Sequence, residues 1–300
     1  MKMLSGILLI DKPEGLTSFG VVRRVRRALG VRKIGHLGTL DPFATGLLPL
    51  CLGEATKLAP FLMPEPKTYR AVVKLGEETD TQDLTGRVAA ASDKMPSPKQ
   101  VYEAAARFLG DIEQVPPMYS ALHHEGQRLY KLARRGESVE VKARKVTIYR
   151  LEVEEINLPL VTFNARCSQG TYIRTLAADL GVALGCGGHL VGLRRLAVGA
   201  FSVDDALALA ALEGMSQEEI QSRVIPLAEC LPGLAAASVE SDAARRLRQG
   251  QALPWTGNHL AAGEPVKVLA AGDLVAIASV RRREEGSWLE PLRVFIGSEQ

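Results

Sequence analysis

One stretch constrains the fold more than any other. In Gly35 to Leu50, GHLGTLDPFATGLLPL, Asp41 is the single acid and His36 the only other ionisable group. A neutral imidazole predominates at pH 7, so Asp41 carries the segment's charge. A carboxylate in such apolar company is costly to bury unless a cation or a set of donors pairs with it. Any fold that encloses this segment must bring that partner from elsewhere in the chain. Read locally, LDPFATG also suits a short helix, with Asp41 as N-cap and Pro42 at its first position.

The flanking patterns supply the frame. GILLIDKP reads as a buried strand running into a turn. In TSFGVVRRVRRALG the apolar Val21, Val22, Val25, Ala28 and Leu29 share one helical face, Ser18 is placed to cap and Gly30 to terminate. KTYRAVVKLG alternates as a half-buried strand, with Tyr69 on the same side as Ala71, Val73 and Leu75. SPKQVYEAAARFLGDI is helical by pattern, and residues 116–145 form a long basic excursion carrying a short helix. VTIYRLEVEEI and LVTFNARCS resume strands, QGTYIRTLAADLGVALG turns into a helix, and VGLRRLAVGAF is another strand. SVDD, with Ser202 and Asp205 as a capping box, predicts a helix over DALALAALE. After LPGLAAASVESD the grammar changes to a short helix and several short strands separated by Gly. The expectation is an α+β domain over residues 1–235, with a mixed or antiparallel sheet, followed by a small β-rich domain over 236–300.

Length and composition set the class. With 300 residues and 46% hydrophobic content the chain can bury a sizeable core. No apolar run approaches the roughly 18 residues of a membrane span, and the start lacks a cleavable signal pattern; the expectation is a cytoplasmic protein with no membrane partner. The four cysteines lack CxxC spacing, which supports neither a disulfide framework nor a zinc site. Net charge is only +3, but Gly20 to His36 holds six cationic residues and no acid, and His123 to Arg150 holds eight Lys or Arg against three Glu. Local basic surface on a nearly neutral protein suits a polyanion bound at a defined place.

P-loop, Rossmann, HExxH and GxSxG signatures are absent from the sequence, so the chemistries they mark lack their usual local support. Attention returns to Asp41 and its partner. In CSQGTYIRTLAADLG, Gly170 allows a tight turn, after which Arg174 can hold an otherwise isolated carboxylate as a bidentate pair. LGEETDTQDLTG is a loop rich in hydroxyls and acids, where Asp80 and Asp83 read as turn-shaping residues.

Five ordered stretches, LLIDKPEGLTSF, GHLGTLDPFATGLLPL, KTYRAVVKLGEETDTQDLTG, PPMYSALHHEGQRLYKLAR and GTYIRTLAADLG, together resemble the TruB family. Its bacterial members isomerise the uridine at position 55 in the TΨC loop of tRNA. The resemblance runs from about Gly6 to Leu231 and implies a pseudouridine synthase catalytic domain, with residues 116–145 as a thumb-like RNA-binding insertion and a PUA-like tail. It implies Asp41 as the catalytic aspartate, Tyr69 as the aromatic under the flipped uracil, and Arg174 as the partner of Asp41. Tyr172 would lie beside them, His36 near the displaced bases, and Lys12 and Pro13 in a supporting motif. Arg134 and Arg135 would contact RNA.

That reaction breaks N1–C1′ of uridine, turns the base and joins C5 to C1′, with no redox change. The resemblance therefore implies no cofactor, no metal, tRNA as the partner, and a monomer needing no second protein. Asp41 can act as C1′ nucleophile, as a counter-charge or as a base at C2′, and each role needs the ionised form; an adjacent Arg174 is expected to hold its pKa low. Two other classes are compatible with parts of the chain. A glycoside hydrolase would need a second carboxylate across the sugar, and a noncatalytic RNA-binding module would leave the Asp, Tyr and Arg without a task.

Overall fold

The computed structural model describes residues 4–120, 122–124, 126–137, 139–257 and 260–296. An 11-stranded mixed sheet forms the main body. Its path runs through Leu207–Ala208, Gly6–Lys12, Thr45–Leu52, Gly188–Val198, Lys67–Leu75, Leu160–Cys167, Arg144–Asn157 and Gly110–Gln114. The middle of that path matters most. Strand Gly188–Val198 pairs in parallel with Thr45–Leu52, placing Arg195 opposite Gly46, and antiparallel with Lys67–Leu75, placing Arg195 opposite Tyr69. Gly46, Arg195 and Tyr69 thus line up across three neighbouring strands.

Strand Lys67–Leu75 follows its alternation: Tyr69, Ala71, Val73 and Leu75 are buried while Arg70 points outward. The basic helix Ser18–Leu29 buries Val21, Val22, Val25 and Leu29 against Leu8, Ile10, Leu48 and Leu50. Its cap is Thr17, which accepts from the Gly20 N–H at 2.9 Å, and Gly30 ends it with φ 65° and an N–H bond to the Arg26 carbonyl. Ser18, expected as the cap, is used one layer deeper. Its hydroxyl accepts from the Leu40 N–H at 2.9 Å and donates to the Leu40 carbonyl at 3.2 Å, pinning the residue before Asp41 to the start of the helix.

Two local expectations are corrected. The helix expected over residues 205–213 is a 3-10 turn Val203–Asp205, a strand Leu207–Ala208 and a 3-10 helix Leu209–Gly214. Leu207 and Ala208 are drawn into extended pairing with Ile10 and Asp11, so sheet completion overrides helix propensity. Residues 41–44 form a turn, closed by the Ala44 N–H on the Asp41 carbonyl at 3.1 Å, and enter strand Thr45–Leu52 without a helix. The helix-cap reading of Asp41 therefore fails.

The excursion carries a hairpin, His123–His124 with Gln127–Arg128, and helix Leu129–Arg134, whose Leu129 and Leu132 are buried. A second, five-stranded sheet begins at Ala236–Ser238 and contains Leu253–Trp255, Pro265–Ala270, Asp273–Arg283 and Gly286–Val294, with helix Ser241–Arg248 against it. It is not a loose appendage. Leu274, Ile277 and Phe295 enter one apolar cluster with Ile7, Leu47, Leu58, Cys51 and Cys230 of the main body, and Lys57 donates to the Val294 carbonyl at 2.9 Å.

Candidate active site

Asp41 lies on a loop held from below by a fully buried lysine. Lys12 Nζ donates to the carbonyls of Ala44 at 2.6 Å, Pro13 at 2.9 Å and Pro42 at 3.1 Å. Burial lowers its pKa to about 8, yet three acceptors match the three donors of an ammonium, which a neutral amine could not serve. With the Pro42 carbonyl also taken by the Gly15 N–H at 2.8 Å, the turn is committed before a helix can begin.

Arg174 is the partner that the apolar segment requires. It stands in the first turn of helix Ile173–Ala183, is 5% exposed, and places Nε 3.0 Å from Asp41 Oδ2. The expected two-pronged grip on Asp41 is instead divided between two acids. Nη1 bonds Asp83 Oδ2 at 3.2 Å and the Thr81 carbonyl at 3.3 Å, and Nη2 bonds the Tyr119 carbonyl at 2.8 Å. Asp83 shapes its turn, accepting from Thr81 Oγ1 at 2.8 Å and the Thr85 N–H at 2.9 Å, and it is also the second anchor of Arg174. Sequence reading had given it only the first task.

Sharing Arg174 changes the electrostatics of Asp41. Burial pushes its carboxyl pKa up; Arg174 pulls it down, Asp83 pushes it up again, and Lys12 pulls it down, with burial prevailing. The expected lowered pKa is therefore reversed, because burial desolvates Asp41 and one guanidinium serves two carboxylates. Its side chain keeps 31% of its surface open to solvent, which leaves the acid reachable.

Tyr69 is buried in the same cluster as Leu40, Phe43, Ala44 and Ile173. Burial raises its phenol pKa, and the Arg195 charge opposes the rise. Tyr172 immediately precedes the Arg174 helix, clamped by Gln114 through its N–H at 3.0 Å and its carbonyl at 3.3 Å. Burial raises its phenol pKa. Tyr119 lies near the start of the basic excursion, and its carbonyl ties that segment directly to Arg174. His36 ends strand Ile34–His36, half-buried, with burial and Arg195 lowering its pKa, so the ring is neutral at pH 7. Pro13 contributes its carbonyl to Lys12. Arg134 closes its helix, and its side chain lies outside the described residues; Arg135 is exposed and paired with Glu137 at 2.8 Å. Asp41, Arg174, Tyr69, Tyr172, His36 and Lys12 thus surround one loop, whereas Arg135 is engaged at the surface.

Arg195 is a site residue that sequence reading missed. It is 1% exposed, and donates from Nε to the Leu47 carbonyl at 2.7 Å and from Nη2 to the Gly38 carbonyl at 3.1 Å. Both glycines of the Asp41 loop fit around it. Gly38 has φ 92°, and a Cβ there would lie 3.3 Å from Arg195 Nη1; Gly46 has φ 98°, and a Cβ there would lie 2.3 Å from the Arg195 carbonyl. The Gly spacing was the visible trace of this arginine.

Comparison with known proteins agrees with this arrangement. Residues 26–173 match the TruB family pseudouridylate synthase N-terminal domain, and residues 174–232 match the tRNA pseudouridylate synthase B C-terminal domain. The chain is 43% identical to the tRNA pseudouridine synthase B of Syntrophotalea carbinolica, over 97% of this chain and 98% of that protein. It is 47% identical to that of Ralstonia pickettii over 83% of this chain and 80% of the relative. Among solved structures, a Cbf5-Nop10-Gar1 complex aligns with a TM-score of 0.76 at 25% identity, covering 100% of this chain and 87% of the matched one. An H/ACA RNP bound to a substrate RNA containing 2'-deoxyuridine aligns with a TM-score of 0.75, covering 100% and 87%; at 24% identity it speaks for the fold. By domain matches, by identity along nearly its whole length and by fold, the chain belongs to the TruB family of pseudouridylate synthases.

Proposed function

We propose that this protein converts uridine to pseudouridine at position 55 in the TΨC loop of tRNA, acting alone and without a cofactor. The observation that carries the reading is the Asp41–Arg174 pair at 3.0 Å, on a half-open carboxylate beside a buried Tyr69. Asp41 is the catalytic residue. As nucleophile at C1′, counter-charge or base at C2′ it acts ionised, and Arg174 supplies the compensation that burial would otherwise deny. Tyr69 offers the flat face on which the detached base turns. Tyr172 flanks the base, and neutral His36 faces the displaced nucleotides without adding charge.

The target base must leave its stack, at a cost of a few kcal/mol, and phosphate contacts offset that. Arg23, Arg24 and Arg27 are exposed on the basic helix, with Arg32 and Lys33 just beyond it. The excursion 116–145, including Arg134 and Arg135, and the domain 236–300, with exposed Arg245, Arg246, Arg281 and Arg282, extend this surface as RNA-docking parts. The glycoside hydrolase alternative loses ground, because Asp83, the nearest second carboxylate named in the site, is enclosed behind Arg174 and cannot flank a sugar.

The test is incubation with an unmodified tRNA transcript, followed by mapping pseudouridine by chemical reactivity. Modification confined to uridine 55 is expected. Free uracil in the medium would indicate hydrolysis, and tRNA binding with no isomerisation would reduce the protein to a binding module.

A further inference from the structure

We propose that Arg195 is a positioning residue for Tyr69: anchored to both ends of the Asp41 loop and paired with Tyr69 across the sheet, its guanidinium orients the phenol and places a fixed positive charge beside the residue on which the detached base rests. The proposal rests on pseudouridine formation as the reaction.

Three observations converge on it. First, Arg195 is enclosed without a counter-ion: among the described residues no carboxylate pairs with it, whereas its neighbour Arg194 pairs with Asp11 at 2.7 Å. An unpaired cation in a core is expensive, and an apolar residue of similar volume would usually serve stability as well or better. Second, its donors are directed at the site. Nε and Nη2 hold the carbonyls of Leu47 and Gly38, which bracket Asp41, and the buried guanidinium interacts electrostatically with the Tyr69 phenol. Third, the sheet imposes the pairing: Arg195 lies directly opposite Tyr69 on one side and Gly46 on the other. Gly38 and Gly46 allow this close approach, since a Cβ at either would press against Arg195.

The chemistry gives this charge a use. When N1–C1′ breaks heterolytically, the bonding pair leaves with N1 and the base becomes anionic. C5 then bonds to C1′, the C5 proton is lost and a nitrogen is reprotonated, so the product is an isomer of the substrate. A cation fixed beside the Tyr69 platform favours the anionic base over the neutral uridine, so its effect falls on the chemical step rather than on binding. Because it acts through the phenol as well as through its charge, its contribution should shrink when the hydroxyl is removed.

That dependence defines the experiment, a double-mutant cycle in the full-length protein with tRNA transcript, measuring single-turnover rate at saturation and tRNA Kd. Arg195→Gln and Tyr69→Phe are each expected to lower the rate by roughly tenfold or more with Kd nearly unchanged. The double variant should be clearly faster than the product of the two single losses predicts, since interacting residues are non-additive. A merely structural role for Arg195 predicts multiplied losses, because the Leu47 and Gly38 contacts do not depend on the phenol. Multiplied losses, a loss confined to Kd, or a wild-type rate in either single variant would overturn the proposal. Arg195→Met, apolar and of similar length, carries the same cycle should Arg195→Gln fail to fold. Pseudouridine made by the wild-type protein in the same assay separates failure of this inference from failure of the proposed function.

Discussion

Asp83→Asn separates the two roles that Asp83 plays. The amide oxygen can still accept from Thr81 and from the Thr85 N–H, but a neutral group then faces Arg174 Nη1 at 3.2 Å. Losing one partner of a buried pair costs about 3–5 kcal/mol when the other charge is stranded. Arg174 is not stranded, since Asp41 remains 3.0 Å from Nε. The cost should approach that of one charge-assisted hydrogen bond, about 2 kcal/mol, or on the order of 4–8 °C in Tm for a chain of this size. Activity should respond differently. Asp83 raises the Asp41 carboxyl pKa, so removing its charge makes Asp41 easier to ionise and moves the acid limb of the rate to lower pH. A thermal melt and a single-turnover pH profile with C5-tritiated tRNA measure both. An unchanged melting temperature, or an acid limb that stays or moves to higher pH, would refute the shared-arginine account.

Lys12→Met removes the donor to the Pro13, Pro42 and Ala44 carbonyls; Pro42 keeps the Gly15 N–H and the Ala44 bond is the buried one, so at about 1–3 kcal/mol for a buried unsatisfied group a loss of that order in urea unfolding is expected, with activity falling further than stability explains. Gly46→Ala places a Cβ against the Arg195 carbonyl at φ 98°, so the strand pairing must shift, and a melt is expected to show at least about 2 kcal/mol of destabilisation. Replacing Arg23, Arg24 and Arg27 with Ala should weaken tRNA binding and reduce the slope of log Kd against log salt by about 2, at about 0.7–0.9 per phosphate contact, while the rate at saturation is retained. Titration of binding between low and moderate salt decides this.

The strands, the basic helix and the second sheet were legible because each buries one face with a clear period, as in Tyr69, Ala71, Val73 and Leu75. Asp41 was legible through an imbalance, a lone acid in an apolar run that demanded a cation, and Arg174 was assigned as its partner through the family resemblance. What escaped was decided at long range. Arg194 and Arg195 are adjacent in a strand, one paired at the surface and one in the core, and period two alone does not say which faces inward. Asp83 satisfied a local turn so well that its bond to Arg174, 91 residues away, left no further signal. The Ala- and Leu-rich run after Asp205 had helical propensity, but Ile10 and Asp11 presented an open strand edge that claimed Leu207 and Ala208. At Asp41 the Asp-Pro pair mimicked a helix start, and Lys12, distant in sequence, held the backbone in a turn instead.

Asp41→Asn tests the catalytic claim most directly. Asn preserves the side chain's size and most of its local hydrogen bonding. Burial raises the folded-state pKa of Asp41, so its contribution to stability is present below the unfolded pKa and is lost as pH rises through the folded value. Removing the charge therefore relieves that cost at pH 7 and offsets the weakened contact to Arg174, which keeps Asp83. The melting temperature should stay within about 3 °C of wild type, and tRNA binding should persist. Tritium release from C5-labelled uridine in tRNA should nevertheless fall below detection, because a neutral amide cannot serve as nucleophile, base or counter-charge. Release within about tenfold of wild type, a barrier change of only about 1.4 kcal/mol, would contradict the assignment of Asp41 as the catalytic residue.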